Sequence, residues 1–276
     1  MNHDTYSCLR IDRSDGVATV TIDHAPINLL DLDLLLELDR LSRELETDAD
    51  VSVVVVQSAD PEFFIAHADV TLIERMPSDD LDRPTELPLF HQMVERFRTM
   101  PKVTIGKIEG IARGGGSEFL LSLDMRFAAT GKAVLAQPEV ALGILPGGSG
   151  TQRLPRLIGR SRALEVILGC EDFPAELAER YGYVNRALPA DEIGAFVSNL
   201  AARIASFPAE AIALAKQAAA AAEPDPREGL LEEAWCFNRT LATEAARRRM
   251  RAFMEAGGQT REVERSITGL FDLLGK

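Results

Sequence analysis

Three consecutive glycines, Gly114 to Gly116, break a long apolar stretch, and that break constrains the surrounding fold more tightly than any other feature. The run from Val103 to Ala112 is apolar enough for a covered strand, and Phe119, Leu120, Leu121 and Leu123 make the following segment an equally core-like helix. The glycines therefore predict a strand-to-helix turn inside the protein. Backbone without side chains lets a ligand approach the amides closely, and a helix start adds unpaired N–H donors and the positive end of its dipole. Such a turn favours negative charge, permanent or developing. Glu118 falls in the first turn of this helix, where a carboxylate is costly to bury unless it is paired or used. On its own it is equally well explained as electrostatic support for the helix start.

A second stretch, Ala133 to Gly159, repeats the logic. A short apolar strand leads to Gln137-Pro138-Glu139, and a glycine-rich turn, Pro146 to Gly150, enters a helix marked by Thr151, Leu154 and Leu157. Glu139 is again an acid flanked by apolar residues, Val140, Ala141 and Leu142. Two glutamates beside glycine-rich turns point to one site with two carboxylates.

These motifs, together with Phe64-Ile65-Ala66-His67-Ala68-Asp69-Val70 and the run Leu145 to Leu154, resemble the crotonase superfamily of enoyl-CoA hydratases and isomerases. The match runs in order from about Asp15 to about Ala220. The resemblance implies an α/β fold, a ββα superhelix, with residues 1–206 as the spiral core holding the active site. Residues 207–276 become a helical oligomerisation region packing on the core or on a neighbouring subunit, in a homotrimer or a hexamer of paired trimers. It further implies an acyl-CoA thioester substrate, with coenzyme A as part of that substrate and no separate cofactor. The thioester oxygen would be held by two backbone N–H groups, those of Ala68 and Gly115, and the flanking Ala66, His67, Asp69, Gly114, Pro138 and Gly147 would line the substrate site.

Hydration of a trans-2-enoyl-CoA to the 3-hydroxyacyl-CoA is the leading expectation, because both glutamate positions are acidic in the hydratases. Glu118 would chiefly activate the water, and Glu139 would deliver or remove the proton at the α-carbon. A double-bond isomerase, using Glu139 as its main base, is the alternative. Behind it stand another acyl-CoA lyase or hydrolase and, from a different class, a non-catalytic acyl-CoA binder.

Two places depart from the family pattern. His67 stands where glycine is common, and three roles compete for it: a tolerated surface side chain, a contact to the coenzyme, or a group that changes the reaction. Relatives often end in a basic run after the last phenylalanine, whereas Phe253-Met254-Glu255-Ala256-Gly257-Gly258-Gln259 has no basic residue there. Arg113 is a lesser departure, expected to pair with a local acid such as Asp124 rather than with a phosphate.

The remaining chain supplies the frame. Leu9–Ile11 and Val17–Ile22 read as a hairpin around Asp15-Gly16, Asn28–Glu46 as a helix with a leucine stripe, and Val51–Val56 as a strand. Asp69 is placed to cap a short helix starting at Val70. Residues 74–90, with three prolines, read as loop before a helix from about Phe90 to Thr99. Ser161–Gly169 and Pro174–Tyr181 read as helices and Tyr183–Leu188 as a short strand or extended turn. An amphipathic helix ends at Phe207-Pro208, and the rest is helical, with a start at Asp225-Pro226-Arg227-Glu228 and a last helix lined by Val263, Ile267, Leu270, Phe271 and Leu274. Arg247, Arg248, Arg249 and Arg251 read as a salt-bridged helix face beside Glu244 and Glu255.

Competing functions fail on spacing or charge. Neither glycine cluster completes a dinucleotide fingerprint, the glycine-lysine pair of a phosphate loop is missing, and Gly147 to Thr151 ends wrongly for a serine elbow. Histidines at 3, 24, 67 and 91 show no metal spacing. A net charge of −13 argues against nucleic acid. The opening residues lack a signal peptide's apolar core, no apolar run reaches a membrane span, and three scattered cysteines suit a reducing compartment, so the expected location is cytoplasmic.

Overall fold

A computed structural model describes residues 6–77 and 82–271. The chain begins with the expected hairpin, β1 (Leu9–Ser14) antiparallel to β2 (Val17–Ile22). Asp15 and Gly16 both take positive φ, which lets the two-residue turn follow the twist of its strands. Helix α1 (Leu32–Thr47) starts four residues later than the periodicity suggests. The cause is local: Asn28 adopts φ 49°, and its side chain donates to the carbonyls of Phe63 and Phe64, tying residues 28–31 to the core as loop. Asp31 then caps the helix by accepting from Leu34 N–H. Leu34, Leu38, Leu41 and Leu45 form its buried stripe, each worth about 2–5 kcal/mol against alanine.

From there the chain alternates between two sheets. It passes through β3 (Val53–Ser58) and β4 (Phe63–Ile65), then α2 (Val70–Glu74) and α3 (Leu89–Thr99). The next turn of the spiral is β5 (Val103–Ile108), β6 (Ile111–Arg113) and α4 (Gly115–Leu121). The third is β7 (Met125–Ala129), β8 (Val134–Ala136), a 3-10 turn (Glu139–Leu142), α5 (Gly150–Ile158) and α6 (Arg160–Gly169). Then come β9 (Phe173–Pro174), α7 (Ala175–Tyr181), β10 (Arg186–Leu188) and α8 (Ile193–Ala205). The large sheet runs β1-β2-β3-β5-β7-β10 and the small one β4-β6-β8-β9. This is the expected ββα spiral.

The small sheet positions the site. Its strands β4, β6 and β8 are mutually parallel neighbours, so the residues following each one emerge side by side at one edge. Arg113 N–H bonds Ala66 O at 3.1 Å and Gly114 N–H bonds Ala136 O at 3.0 Å, carrying the ladder one step past the strands.

The C-terminal helices are α9 (Ala209–Ala220), α10 (Arg227–Leu241), α11 (Glu244–Glu255), α12 (Arg261–Glu264) and α13 (Thr268–Phe271). Asp225 accepts from Arg227 N–H at the start of α10, as its spacing suggests. One continuous last helix does not form: Thr260 caps the short α12, and only α13 follows among the described residues, Leu274 lying outside them. Nor does the arginine run of α11 simply face its own acids, because Arg249 reaches the Ala141 carbonyl at 2.9 Å. Most of the tail packs on its own chain, where Leu241, Ala246, Met250, Phe253 and Ile267 close a cluster with Val70, Leu142 and Ile144. Helix α9 contrasts, burying none of its residues.

Candidate active site

Each edge segment delivers one group. After β6, Gly114 turns at φ 49° and ψ −125°, and α4 opens with Glu118 in its first turn, 3% exposed. After β8, Glu139 begins the 3-10 turn and is 8% exposed. After β4, residues 66–69 cross beneath Leu30 in an isolated parallel bridge. Leu30 N–H bonds His67 O at 2.9 Å and Asp69 N–H bonds Leu30 O at 3.0 Å. That pattern turns the Ala68 N–H to the opposite side, and no acceptor takes it among the described residues. Gly115 N–H is likewise unpaired, as the first donor of α4. A Cβ on Gly115 would lie 3.6 Å from Ala68 N and 3.2 Å from Ala68 Cβ, so the two residues adjoin and a side chain at 115 would crowd them.

The two carboxyl groups have different surroundings. Glu118 Oε1 accepts from Gly148 N–H and Gly150 N–H, both at 2.8 Å. Burial nevertheless pushes its pKa up to about 8, and the nearby charge of Glu233 adds to the rise. Glu139 has no backbone cradle of that kind. Burial first, and the Glu118 charge second, hold it well above the ordinary carboxyl range. The side chain of Gln137, with its amide nitrogen toward Glu139, donates to both carboxylate oxygens at 3.2 Å and accepts from Ser117 Oγ at 3.2 Å. A site is thus assembled in which burial raises both carboxyl groups above the ordinary range, and the Gly148 and Gly150 amides offset part of that rise at Glu118.

Three further buried residues belong to this region and were not singled out from the sequence. Glu233, on α10, accepts from Ser149 N–H at 2.6 Å, from Thr151 N–H at 2.9 Å and from the Thr151 hydroxyl. His91, on α3, meets Glu233 Oε1 at 2.9 Å through Nε2. Glu264, on α12, reaches His67 Nε2 at 3.0 Å. The readable signal was an ionisable residue on an apolar stripe: Glu233 stands three after Leu230 and four before Phe237, and Glu264 three before Ile267.

Other expectations are sorted by the geometry. Asp69 caps α2 through Thr71 N–H, as anticipated, steadying the segment that carries Ala68. His67 is not a surface side chain; it is 6% exposed and needs no positive φ. Arg113 does pair with an acid, but with Asp172, by two bonds of 2.7 Å, while Asp124 pairs with Thr104 and Lys216. Ala66 is buried, with its N–H on Ile27 O and its C=O accepting from Arg113 N–H. Gly147 lies against Phe237, whose ring would be 2.4 Å from an added Cβ. Pro138 and Gly114 line a cavity of about 30 Å³ beside Glu139, walled by His67, Ala68, Gly115 and, from the tail, Phe253, Ile267 and Phe271.

The family model described as enoyl-CoA hydratase/isomerase matches residues 12–261. The chain belongs to that family. Within the hydratase/isomerase family it is 33% identical over 247 residues to a short-chain-enoyl-CoA hydratase of Clostridium acetobutylicum, covering 89% of this chain and 94% of that one. It is 31% identical to the crotonyl-CoA hydratase of Syntrophomonas wolfei, covering 91% of this chain and 96% of the relative. A Streptomyces avermitilis crystal structure, provisionally described as an enoyl-CoA hydratase, superposes with a TM-score of 0.91 at 41% identity, covering 98% and 99% of the two chains.

Proposed function

We propose that this protein adds water to short-chain trans-2-enoyl-CoA thioesters to give 3-hydroxyacyl-CoA. The observation that carries the reading is the pair of buried carboxyl groups, one cradled by two amides and one without that cradle, beside two unpaired, adjoining N–H groups. In the proposed reaction Glu118, as carboxylate, takes a proton from water while its oxygen bonds the β-carbon. The double-bond electrons move onto the thioester oxygen, where the Ala68 and Gly115 amides form an oxyanion hole. Collapse of that enolate takes a proton from Glu139 to the α-carbon. Each well-placed amide is worth about 3–4 kcal/mol of barrier, and each proton-transfer group about 10²–10⁴-fold in rate.

Hydration is redox-neutral, so the reading calls for no cofactor beyond the coenzyme A carried by the substrate. The relatives described as short-chain-enoyl-CoA and crotonyl-CoA hydratases support a short acyl group. The bare helix α9, with Leu214 and nearby Phe207 exposed, suits burial against other copies in the trimer or hexamer that the family pattern implies. The decisive experiment follows loss of conjugated enoyl-thioester absorbance in the native protein, Glu118→Gln and Glu139→Gln. Loss in the native protein abolished by either substitution supports hydration by the pair; an unchanged native trace overturns it and directs attention to 3-enoyl isomers.

A further inference from the structure

The two departures from the family pattern, His67 and the tail after Phe253, lie far apart in sequence and touch in the structure. His67 Nε2 meets Glu264 Oε1 at 3.0 Å, and its Nδ1 meets the Ala68 carbonyl at 2.7 Å. The Phe253 ring stands edge-on to the imidazole at a centroid distance of 5.9 Å. Gln259 adds a third tie, its side-chain oxygen accepting from Val70 N–H at 2.7 Å, while its own N–H bonds Glu264 Oε1 at 2.9 Å. Helix α12 is itself clipped to the β3–β4 turn, through Arg261 on Asp60 and Glu62 and through Arg265 on Glu62.

The hydrogen-bond geometry fixes one proton of this cluster, and the charges around it favour a place for the other. A carbonyl oxygen can only accept, so Nδ1 of His67 carries a proton. Glu264 Oε1 also accepts from Gln259 N–H, and Oε2 has no hydrogen-bond partner among the described residues. The remaining proton lies between Nε2 and Oε1, and the Arg113 charge near Oε2 favours the carboxylate, which leaves the proton on Nε2 and makes the ring an imidazolium. Arg113 lies 3.8 Å from Glu264 Oε2 and is neutralised by Asp172. With the imidazolium, two cations balance two anions, and Asp172 is half-buried while the other three are buried.

We propose that Glu264 is a positioning residue that holds His67 as an imidazolium and thereby aims the Ala68 amide at the thioester oxygen. Leu30 fixes the peptide before Ala68 through His67 O, and the His67 ring fixes the carbonyl after it, so neither flanking torsion can turn without breaking a bond. The tail thus completes the oxygen-binding site from the same chain. This rests on the hydratase reading for its consequence in rate, though not for the charge state of His67.

That charge state makes the device pH-sensitive. The ionisable groups facing the ring are Glu264 from α12, Arg113 from β6 and, across the cavity, Glu139. The Glu264 charge and hydrogen bond outweigh burial and the Arg113 charge, so the His67 pKa is raised. The imidazolium therefore persists to higher pH than that of an ordinary histidine and is lost as pH rises through the raised value.

Nitrogen-15 NMR of histidine-labelled native protein, with His67 assigned by its absence in His67→Gln, tests the charge directly. Both ring nitrogens protonated at about pH 7.5 is the expected result; a single-nitrogen tautomer there overturns the proposal. In Glu264→Gln, kcat should fall about 10–100-fold with KM within about twofold, and the alkaline limb of the pH profile should move down by about one unit or more. A native kcat and pH profile in Glu264→Gln also overturns it. Should native protein hydrate no enoyl-CoA, the function reading fails separately. Acetoacetyl-CoA then serves as the probe, since its enolate absorbs when bound: unequal enolate signals in native protein and Glu264→Gln sustain the aiming role, and equal ones refute it.

Discussion

Glu118 and Glu233 take alternate amides from a single turn of backbone. Gly148 and Gly150 donate to Glu118, and Ser149 and Thr151 donate to Glu233. The alternation is possible because Ser149 adopts φ 100°, a left-handed conformation unusual for a residue with a side chain. Glu233 holds it there, with Arg153 Nε on Ser149 Oγ at 2.8 Å. A tail helix therefore shapes the surroundings of Glu118, through geometry and through charge.

Replacing Glu233 by glutamine tests both routes. Removing the negative charge lowers the Glu118 pKa, so the limb of kcat/KM governed by Glu118 ionisation should shift to lower pH. Glutamine has one acceptor oxygen for two amides and a hydroxyl, so a buried donor loses its partner, costing about 1–3 kcal/mol of stability. A pH–rate profile and a urea denaturation curve on the same preparation read the two effects.

Glu118 should be a stability liability at alkaline pH. Its folded pKa of about 8 lies above the ordinary 4.5, so between these values the folded protein holds a proton that the unfolded chain has released. Stability therefore falls as pH rises through that window, and the full penalty is present above it. Glutamine cannot ionise, and its carbonyl oxygen can still accept from Gly148 and Gly150. Glu118→Gln should be more stable than native protein at pH 8.5 by on the order of 2–4 kcal/mol, the gap closing toward pH 5. Denaturation midpoints at the two pH values measure it, and equal gaps would show that Glu118 is an ordinary acid.

What could be read from the chain follows what is local. The glycine turns, both glutamates, the Asp69 cap and the hairpin at Asp15-Gly16 are each written in a few adjacent residues whose geometry allows few alternatives. The partners of those residues are not local. His67 meets Glu264 across 197 positions and Ser149 meets Glu233 across 84, and each acid looks like a solvent-facing helix residue until the stripe it stands on is seen buried. The start of α1 was misread because Asn28 bonds the Phe63 and Phe64 carbonyls, contacts that no helical periodicity contains. Arg113 meets an acid as expected, but that acid is Asp172, 59 positions away, which no local spacing marks.

Gly115→Ala should separate amide geometry from folding. The new methyl would lie 3.1 Å from Leu30 Cδ2 and 3.2 Å from Ala68 Cβ, close enough to spread the two amides by tenths of an ångström. Gly115 has an ordinary helical φ, so the backbone itself tolerates alanine. We expect kcat to fall by about tenfold or more with little change in Tm. By contrast, Gly116→Ala would set a Cβ 2.4 Å from the Ile65 carbonyl and should impair folding itself.

Acyl-chain preference should respond to the tail. The cavity beside Glu139 has room for about one water molecule, and Ile267, 1% exposed, forms part of its wall with Phe253 and Phe271. Ile267 touches neither the carboxyl pair nor the amide donors through hydrogen bonds, so shortening it enlarges the cavity while leaving the reacting groups in place. Each methylene accommodated or rejected by an apolar pocket is worth about 1–3 kcal/mol. Ile267→Ala should therefore raise kcat/KM for a six-carbon enoyl-CoA relative to the four-carbon one by about tenfold, at a stability cost of about 2–4 kcal/mol. Competition between the two substrates in one cuvette gives the ratio directly. An unchanged ratio would mean that the acyl chain leaves the site by another path and that the tail closes the oxygen-binding end alone.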